Sequence, residues 1–323
     1  MVSRPVVLVA VDHATDIERV MEFALSTATA RGADVHVIHV VPHRAALVHE
    51  RTGHWRLERH NDRGVASGAP PASIPGSADH RDVHVRRVTL RGEPEHVIPA
   101  YARLYEASVL LVERHYGSSR FWRNGRVVGE LARRSPMPLL VLPRRRLTEP
   151  PRRILAPFDF SVASAVALRT AVRLARREGA RVTLLHTLND VSPHMVFGGR
   201  EAWEAVRRLP ALKDVVAERL RRKAAFFGAR DVDTEVTTGA AADAILELDR
   251  RGDTDLIVMG VADRSWLERL LVGSTLGRVL LRANAPVLVV PVVAGAHPWP
   301  IEHLAGPPDS ALFADPVVER AAA

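Results

Sequence analysis

The sequence predicts an α/β fold: two tandem domains, each a doubly wound and mainly parallel sheet, related by internal duplication. Three observations carry this. Short, continuous apolar runs such as Leu256-Ile257-Val258-Met259 are those of strands buried on both faces. They alternate with helical stripes, the order that gives parallel sheets with crossover helices. The same syntax then returns: Asp12/Asp159, Gly32/Gly179, His39/His186 and Gly92/Gly239 are each 147 residues apart, and Gly125/Gly273, Gly129/Gly277, Pro138/Pro286 and Pro143/Pro291 are each 148 apart. Eight landmarks in near-constant register are a duplication.

Val6 to Val11 reads as a buried strand ending at Asp12. Thr15 or Asp16 can cap the following helix, whose apolar positions Ile17, Val20, Met21, Ala24, Leu25 and Ala28 form one stripe at helical period. Gly32 closes that helix, and Val35 to Val41 is the second strand, parallel to the first by the crossover rule. Ser67 to Ser77, within a 64–79 stretch rich in Gly, Pro and Ser, cannot hold a helix and reads as linker. Val109 to Val112 and Leu139 to Leu142 are further strands.

In the second copy Ile154 to Phe158 is a strand ending at Asp159. Val166, Ala167, Thr170, Ala171 and Leu174 stripe a helix closed by Gly179, and Val182 to Leu188 follows as a strand. Leu212 to Phe227 is helical where the first copy has its linker. The seam lies in Arg144 to Pro151, giving expected domains 1–146 and 150–293, with 294–323 a Gly-, Pro- and Ala-rich tail expected to be disordered.

The chain is organised around Asp255 to Pro291. Gly260 is read as ending the Leu256 to Met259 strand, and a polar loop follows. Gly273-Ser274-Thr275 then opens a helix running through Leu276, Val279 and Leu280 to Ala285-Pro286, before a last strand Val287 to Val290. Free N–H groups, hydroxyls and a positive dipole end make such a helix start an anion site. The same residue types also serve as plain helix caps. Gly260, position 263 and Gly273-Ser274 follow the frame Gly-x2-Gly-x9-Gly-Ser/Thr. This resembles the nucleotide-binding signature of the universal stress protein (UspA) family, whose fold is Rossmann-like. The resemblance covers nearly all of residues 4 to 293. It implies an ATP site in the second copy, with Gly260 and position 263 close to ribose and phosphates, Gly273, Ser274 and Thr275 on the phosphate tail, and Mg accompanying the nucleotide. Pro157-Phe158-Asp159 resembles the segment that lines the adenine pocket, and Thr187 matches another pocket position. A plain reading of Asp159 as a cap for the next helix stands beside this. The frame is broken once: position 263 is Asp, whose charge repels phosphates, and Trp266 adds bulk to the same loop.

The first copy departs further. Its loop reads Glu113-Arg114-His115-Tyr116, so Val112 and His115 hold the two glycine places, and Gly125 is followed by Arg126 in place of Ser. That copy is expected to bind no ATP, although an Arg facing an anion can attract phosphate. In the family the last strand lies at a sheet edge and pairs antiparallel with its partner's. Leu139 to Leu142 and Val287 to Val290, both flanked by Pro, are therefore expected to pair within this chain, since an unpaired apolar edge invites aggregation. The eight-residue seam reaches at most about 28 Å, enough for that geometry.

Composition bounds the rest. The chain has 323 residues, 47% apolar and without cysteine, which excludes disulfides, thiol nucleophiles and Cys-based metal sites. No run approaches the roughly 20 apolar residues of a membrane helix, and no signal-peptide layout opens the chain, so a soluble cytoplasmic protein is expected. The +8 net charge rests on 45 basic residues of which only Lys213 and Lys223 are Lys, interspersed with 37 acidic ones. Solvated faces, not nucleic acid, explain it. Eleven of the 15 His lie in the first copy, but on a strand His36 and His39 point to opposite faces, so no metal site is expected. Neither a Gly-x-Ser-x-Gly elbow nor a P-loop occurs, and no catalytic residue is assigned. The function implied is a stress-response module binding or sensing an adenine nucleotide. Its alternatives are a stress protein that binds only partners, including a homodimer, or a slow ATP hydrolase.

Overall fold

The computed structural model describes residues 4–12, 15–41, 82–114, 126–143, 150–188, 200–229, 232–261 and 275–292. In the first half β1 (Val6–Val11), α1 (Ile17–Thr29), β2 (Asp34–Val41), β3 (Val85–Arg91), α2 (Pro94–Leu104), β4 (Ala107–Glu113), α3 (Arg126–Arg134) and β5 (Leu139–Leu142) follow one another. The second half repeats the order with β6 (Arg153–Pro157), α4 (Val162–Glu178), β7 (Arg181–Leu188), α5 (Arg200–Phe226), β8 (Val232–Thr238), α6 (Ala241–Arg250), β9 (Leu256–Val261), α7 (Thr275–Arg282) and β10 (Val287–Pro291).

The ten described strands form one sheet in the order β3-β2-β1-β4-β5-β10-β9-β6-β7-β8. Each half therefore contributes the same five-strand order, read outward from the middle. Every pairing is parallel except the central one. There β5 and β10 run antiparallel, with Val141 opposite Val287, Leu140 opposite Leu288 and Leu139 opposite Val289. The expected pairing of the two terminal strands within one chain is thus present, and it is only three residue pairs long.

The helices cover both faces because the strands are apolar on both sides. Leu139 and Val141 join Val287 and Val289 in the core under α2, α3, α6 and α7. Leu140 and Leu142 join Leu288 and Val290 in the core under α1, α4 and α5. Both cores are continuous across the seam, so the halves share apolar packing as well as hydrogen bonds.

Helix ends follow their chemistry. Asp16 caps α1 by accepting from the Arg19 N–H at 3.4 Å, and Val20, Met21, Ala24, Leu25 and Ala28 are its buried stripe. Gly179 closes α4 in the left-handed region, at φ 68°. Several boundaries and one helix face differ from the sequence reading. The strand β9 continues through Gly260 to Val261, because a parallel partner, β10, extends to Pro291 beside it. The strand β6 stops at Pro157, one residue early. The deepest face of α4 is Ala163, Ala167, Leu168, Ala171, Val172 and Ala175, with Val166 and Leu174 only partly covered. The linker at 64–79, most of the seam and the tail lie outside the described residues. No described helix is long and apolar enough to cross a membrane.

Candidate functional site

In a doubly wound sheet ligands bind beyond the carboxyl ends of the strands, where neighbouring connections diverge to opposite faces. That point falls between β6 and β9 in the second half and between β1 and β4 in the first. Pro157, Phe158 and Asp159 pass through it in the second half. The Phe158 N–H donates to the Leu185 carbonyl at 2.8 Å, extending the β6–β7 ladder by one bond while its ring is buried.

Asp159 then turns the chain. Its Oδ1 accepts from the Ser161 N–H at 3.0 Å. Ser161, not Asp159, is the cap of α4, accepting from the Ser164 N–H at 3.1 Å. Capping therefore does not account for Asp159, which is exposed beside the cap. Burial on its own would raise its pKa; hydrogen bonds from Ser161 and Ser164 outweigh that and hold the carboxyl below 3.8. The site thus keeps a carboxylate at neutral pH.

Phe160 between them has a φ of 63°, in the left-handed region that a bulky side chain rarely adopts. Its ring is held edge-on against Phe158 and His186, each with centroids 5.1 Å away. The Arg219 guanidinium from α5 lies 4.5 Å above it. His186 completes the cluster, its Nδ1 2.7 Å from the Phe158 carbonyl. Phe160, His186 and Arg219 were not among the site residues read from sequence. Only the 147-residue spacing of His39 and His186 pointed to any of them.

Gly260 faces the first turn of α4. A Cβ there would stand 1.9 Å from the Ala163 carbonyl oxygen, so helix and strand meet backbone to backbone. This is a reason for glycine that involves no ligand. Thr187 lies near the carboxyl end of β7 opposite Thr237, partly buried. Thr275 is the first residue of α7. Asp263, Trp266, Gly273 and Ser274 lie outside the described residues, so the structure brings Pro157, Phe158, Asp159, Thr187 and Gly260 to one end of the sheet and describes the loop only from Thr275 on.

The far end of α7 is firmly held. Asp249 on α6 is buried and accepts from the N–H groups of Asn284 (2.5 Å) and Ala285 (2.8 Å). Arg278 pairs with Asp243. From the other half, Arg114 donates to the carbonyls of Leu280, at 3.1 Å, and Ala283.

The first half fills its own switch point with charge. Glu113, fully buried at the end of β4, is paired with Arg19 of α1 and accepts from the Asp16 N–H at 2.8 Å. Arg19 also donates to the Pro143 carbonyl beyond β5. Asp12 is engaged by Thr15, whose hydroxyl accepts from the Asp12 N–H at 2.9 Å and donates to its Oδ1 at 3.0 Å. The residues matching Asp16, Arg19 and Glu113 in the register of the two halves are Ala163, Val166 and Gly260, so the second half carries no such network. His115, Tyr116 and Gly125 lie outside the described residues, as does the side chain of Arg126.

His36 and His39 do point to opposite faces: His36 meets the Tyr101 hydroxyl at 3.1 Å, and His39 Nδ1 meets the Val11 carbonyl at 3.2 Å on the α1 side. Among the described residues no group of three His, Cys, Asp or Glu is placed to hold a metal ion. A cleft of about 350 Å³ between α1 and α4, floored by Val109, Leu111, Leu140, Leu256 and Leu288, contains none of the candidate residues.

Comparison with known proteins gives a consistent result. The model of the universal stress protein family matches residues 4–143 and again residues 151–291. A universal stress protein of Methanocaldococcus jannaschii is 35% identical over 141 residues, 43% of this chain and 81% of that protein. A stress response protein of Bacillus subtilis is 29% identical over 161 residues, covering 43% and 96%. Among solved structures, a universal stress protein from Archaeoglobus fulgidus aligns over 88% of this chain and 98% of its own with a TM-score of 0.55 at 15% identity, which shows a shared two-half fold.

Proposed function

The chain belongs to the universal stress protein family, and from that premise we propose that its second half binds an adenine nucleotide, ATP, as a stress-response sensor or carrier. The observation that carries this reading is the contrast between the two switch points. In the first half the buried Glu113 and its partly covered partner Arg19 occupy the position. In the second half Ala163, Val166 and Gly260 replace that network, and an exposed carboxylate, Asp159, stands at its edge. Asp159 can accept from an amine such as that of adenine. Pro157, Phe158 and Thr187 line the base, Gly260 and Asp263 run beside the ribose, and Gly273, Ser274 and Thr275 bind the phosphates at the start of α7. Mg enters only with the nucleotide.

In this reading the domains are 1–146, which binds no nucleotide, and 150–293, which binds one; 294–323 is a tail outside both. The lack of cysteine accords with the cytoplasm. Basic side chains such as Arg133, Arg134 and Arg222 are paired with Glu130 and Glu218, which favours solvated faces over nucleic acid. No base or lysine is assigned to hydrolysis, so turnover, if present, is slow. One feature favours the second reading, a stress protein that binds partners only: Asp263 places a like charge where phosphates would pass. Calorimetry of the full chain with Mg-ATP decides between them. One site per chain is expected, tightened in Asp263→Gly; no binding by either protein would leave the partner-only reading.

A further inference from the structure

The helix α7 has eight residues, about 12 Å. A helix of that length has little stability of its own and depends on what holds its ends. The carbonyls of its last turn lack intrahelical partners and carry the negative end of the helix dipole. Arg114, buried at the end of β4, supplies two donors and a positive charge there, to Leu280 and Ala283. Planar, two-pronged donation of this kind is specific to Arg.

The brace is itself fixed. The Arg114 N–H donates to the Leu142 carbonyl at 2.9 Å, and the preceding residue, Glu113, is locked by Arg19. It also runs one way. The residue matching Arg114 in the strand register of the second half is Val261, which has no donor side chain. The corresponding turn after α3 is closed within its own half by Ser135, whose hydroxyl donates to the Met137 carbonyl at 2.7 Å. The loop that carries the first motif glycine in one half has become, in the other, a support for that half's helix.

We propose that Arg114 is a positioning residue through which the first half holds α7, so that nucleotide affinity in the second half depends on a side chain of the first. The dependence on nucleotide rests on the reading above; the holding of α7 does not. The test uses the full chain as wild type, Arg114→Met and Arg114→Lys, with hydrogen exchange in the absence of nucleotide and Mg-ATP calorimetry. In Arg114→Met the amides of α7 should exchange about tenfold faster while β1, β2 and β7 keep their protection, and ATP affinity should fall about tenfold, the scale of one lost charge-assisted contact. Arg114→Lys, which keeps the charge but reaches one carbonyl, should fall between on both measures, and it carries the test alone if the Met variant does not fold. Unchanged exchange in α7 overturns the brace. Faster exchange with unchanged ATP affinity overturns its coupling to the site. A wild type that binds no ATP removes the nucleotide reading, and the exchange result then stands by itself.

Discussion

His186 donates from Nδ1 to the Phe158 carbonyl, and 147 residues earlier His39 does the same to Val11. The duplication has thus kept a side-chain hydrogen bond as well as strands and helices. In each half it ties the second strand to the chain leaving the first, where the switch point begins. The second-half bond also orients a ring that Phe160 packs against. His186→Phe keeps a ring and removes the donor. It should cost about 1 kcal/mol, read as a lower urea midpoint with unchanged slope; an unchanged midpoint would show that the bond contributes nothing.

Gly260→Ala should be among the most damaging small changes in the molecule. The added methyl meets backbone, not a movable side chain, at Ala163. Helix α4 must shift from β9, at a cost of about 3 kcal/mol. Thermal unfolding of the variant within a degree of wild type would contradict this close approach.

Breaking the first half's buried pair should be costly without creating a site. Glu113→Gln leaves the Arg19 guanidinium with only the exposed Asp16 carboxylate, 3.7 Å away, as counter-charge and should destabilise by about 2 kcal/mol. The variant should still bind a single ATP per chain if the wild type binds one. A second equivalent in calorimetry would mean that the pair alone had been keeping nucleotide out.

Ser274→Ala should weaken ATP binding by about 1 kcal/mol, one hydrogen bond, with stability unchanged. A loss of stability with unchanged affinity would instead make Ser274 a helix cap.

Acid should weaken the protein in two stages. Burial, and then the Arg86 charge, lower His36 below 6.5, with Asp34 opposing. A depressed histidine favours folding while neutral, so its contribution is complete above 6.5 and erodes as pH falls below that value. Burial alone would raise Asp255, but hydrogen bonds from Arg153 and from the N–H groups of Arg152 and Arg153 outweigh it and hold the carboxyl below 3.8. Its contribution is present above 3.8 and is lost as pH falls through the lower folded value. Denaturation midpoints against pH should show both declines, and His36→Gln should flatten only the upper one. A profile in that variant that matches wild type would remove His36 as its cause.

The strands were legible because buried parallel strands are continuous apolar runs, and the duplication because a repeat offset needs no physics to see. The antiparallel pairing of β5 with β10 was implied by the family resemblance and by the cost of a bare apolar edge. Helix faces were less so: Val166 and Ala167 are both apolar, and only the packing against the sheet decides that Ala167 is fully buried while Val166 is partly covered. The polar contacts of the site were hardest. Glu113 and Arg114 stood out in sequence only as members of a loop that lacks the motif glycines. Their partners, Arg19 and the carbonyls of Leu280 and Ala283, lie 94, 166 and 169 residues away, and nothing local links them.

Joining β5 to β10 leaves the ten-stranded sheet with only two outer strands, about 43 Å apart at the usual strand spacing. They are of opposite sign. Strand β3 exposes Arg86, Arg87 and Arg91; strand β8 exposes Asp233 and Glu235. The two outer edges of the described sheet, alike in fold, are therefore unlike in charge. Like edges of two molecules repel, which discourages edge-to-edge pairing of β3 with β3 or of β8 with β8.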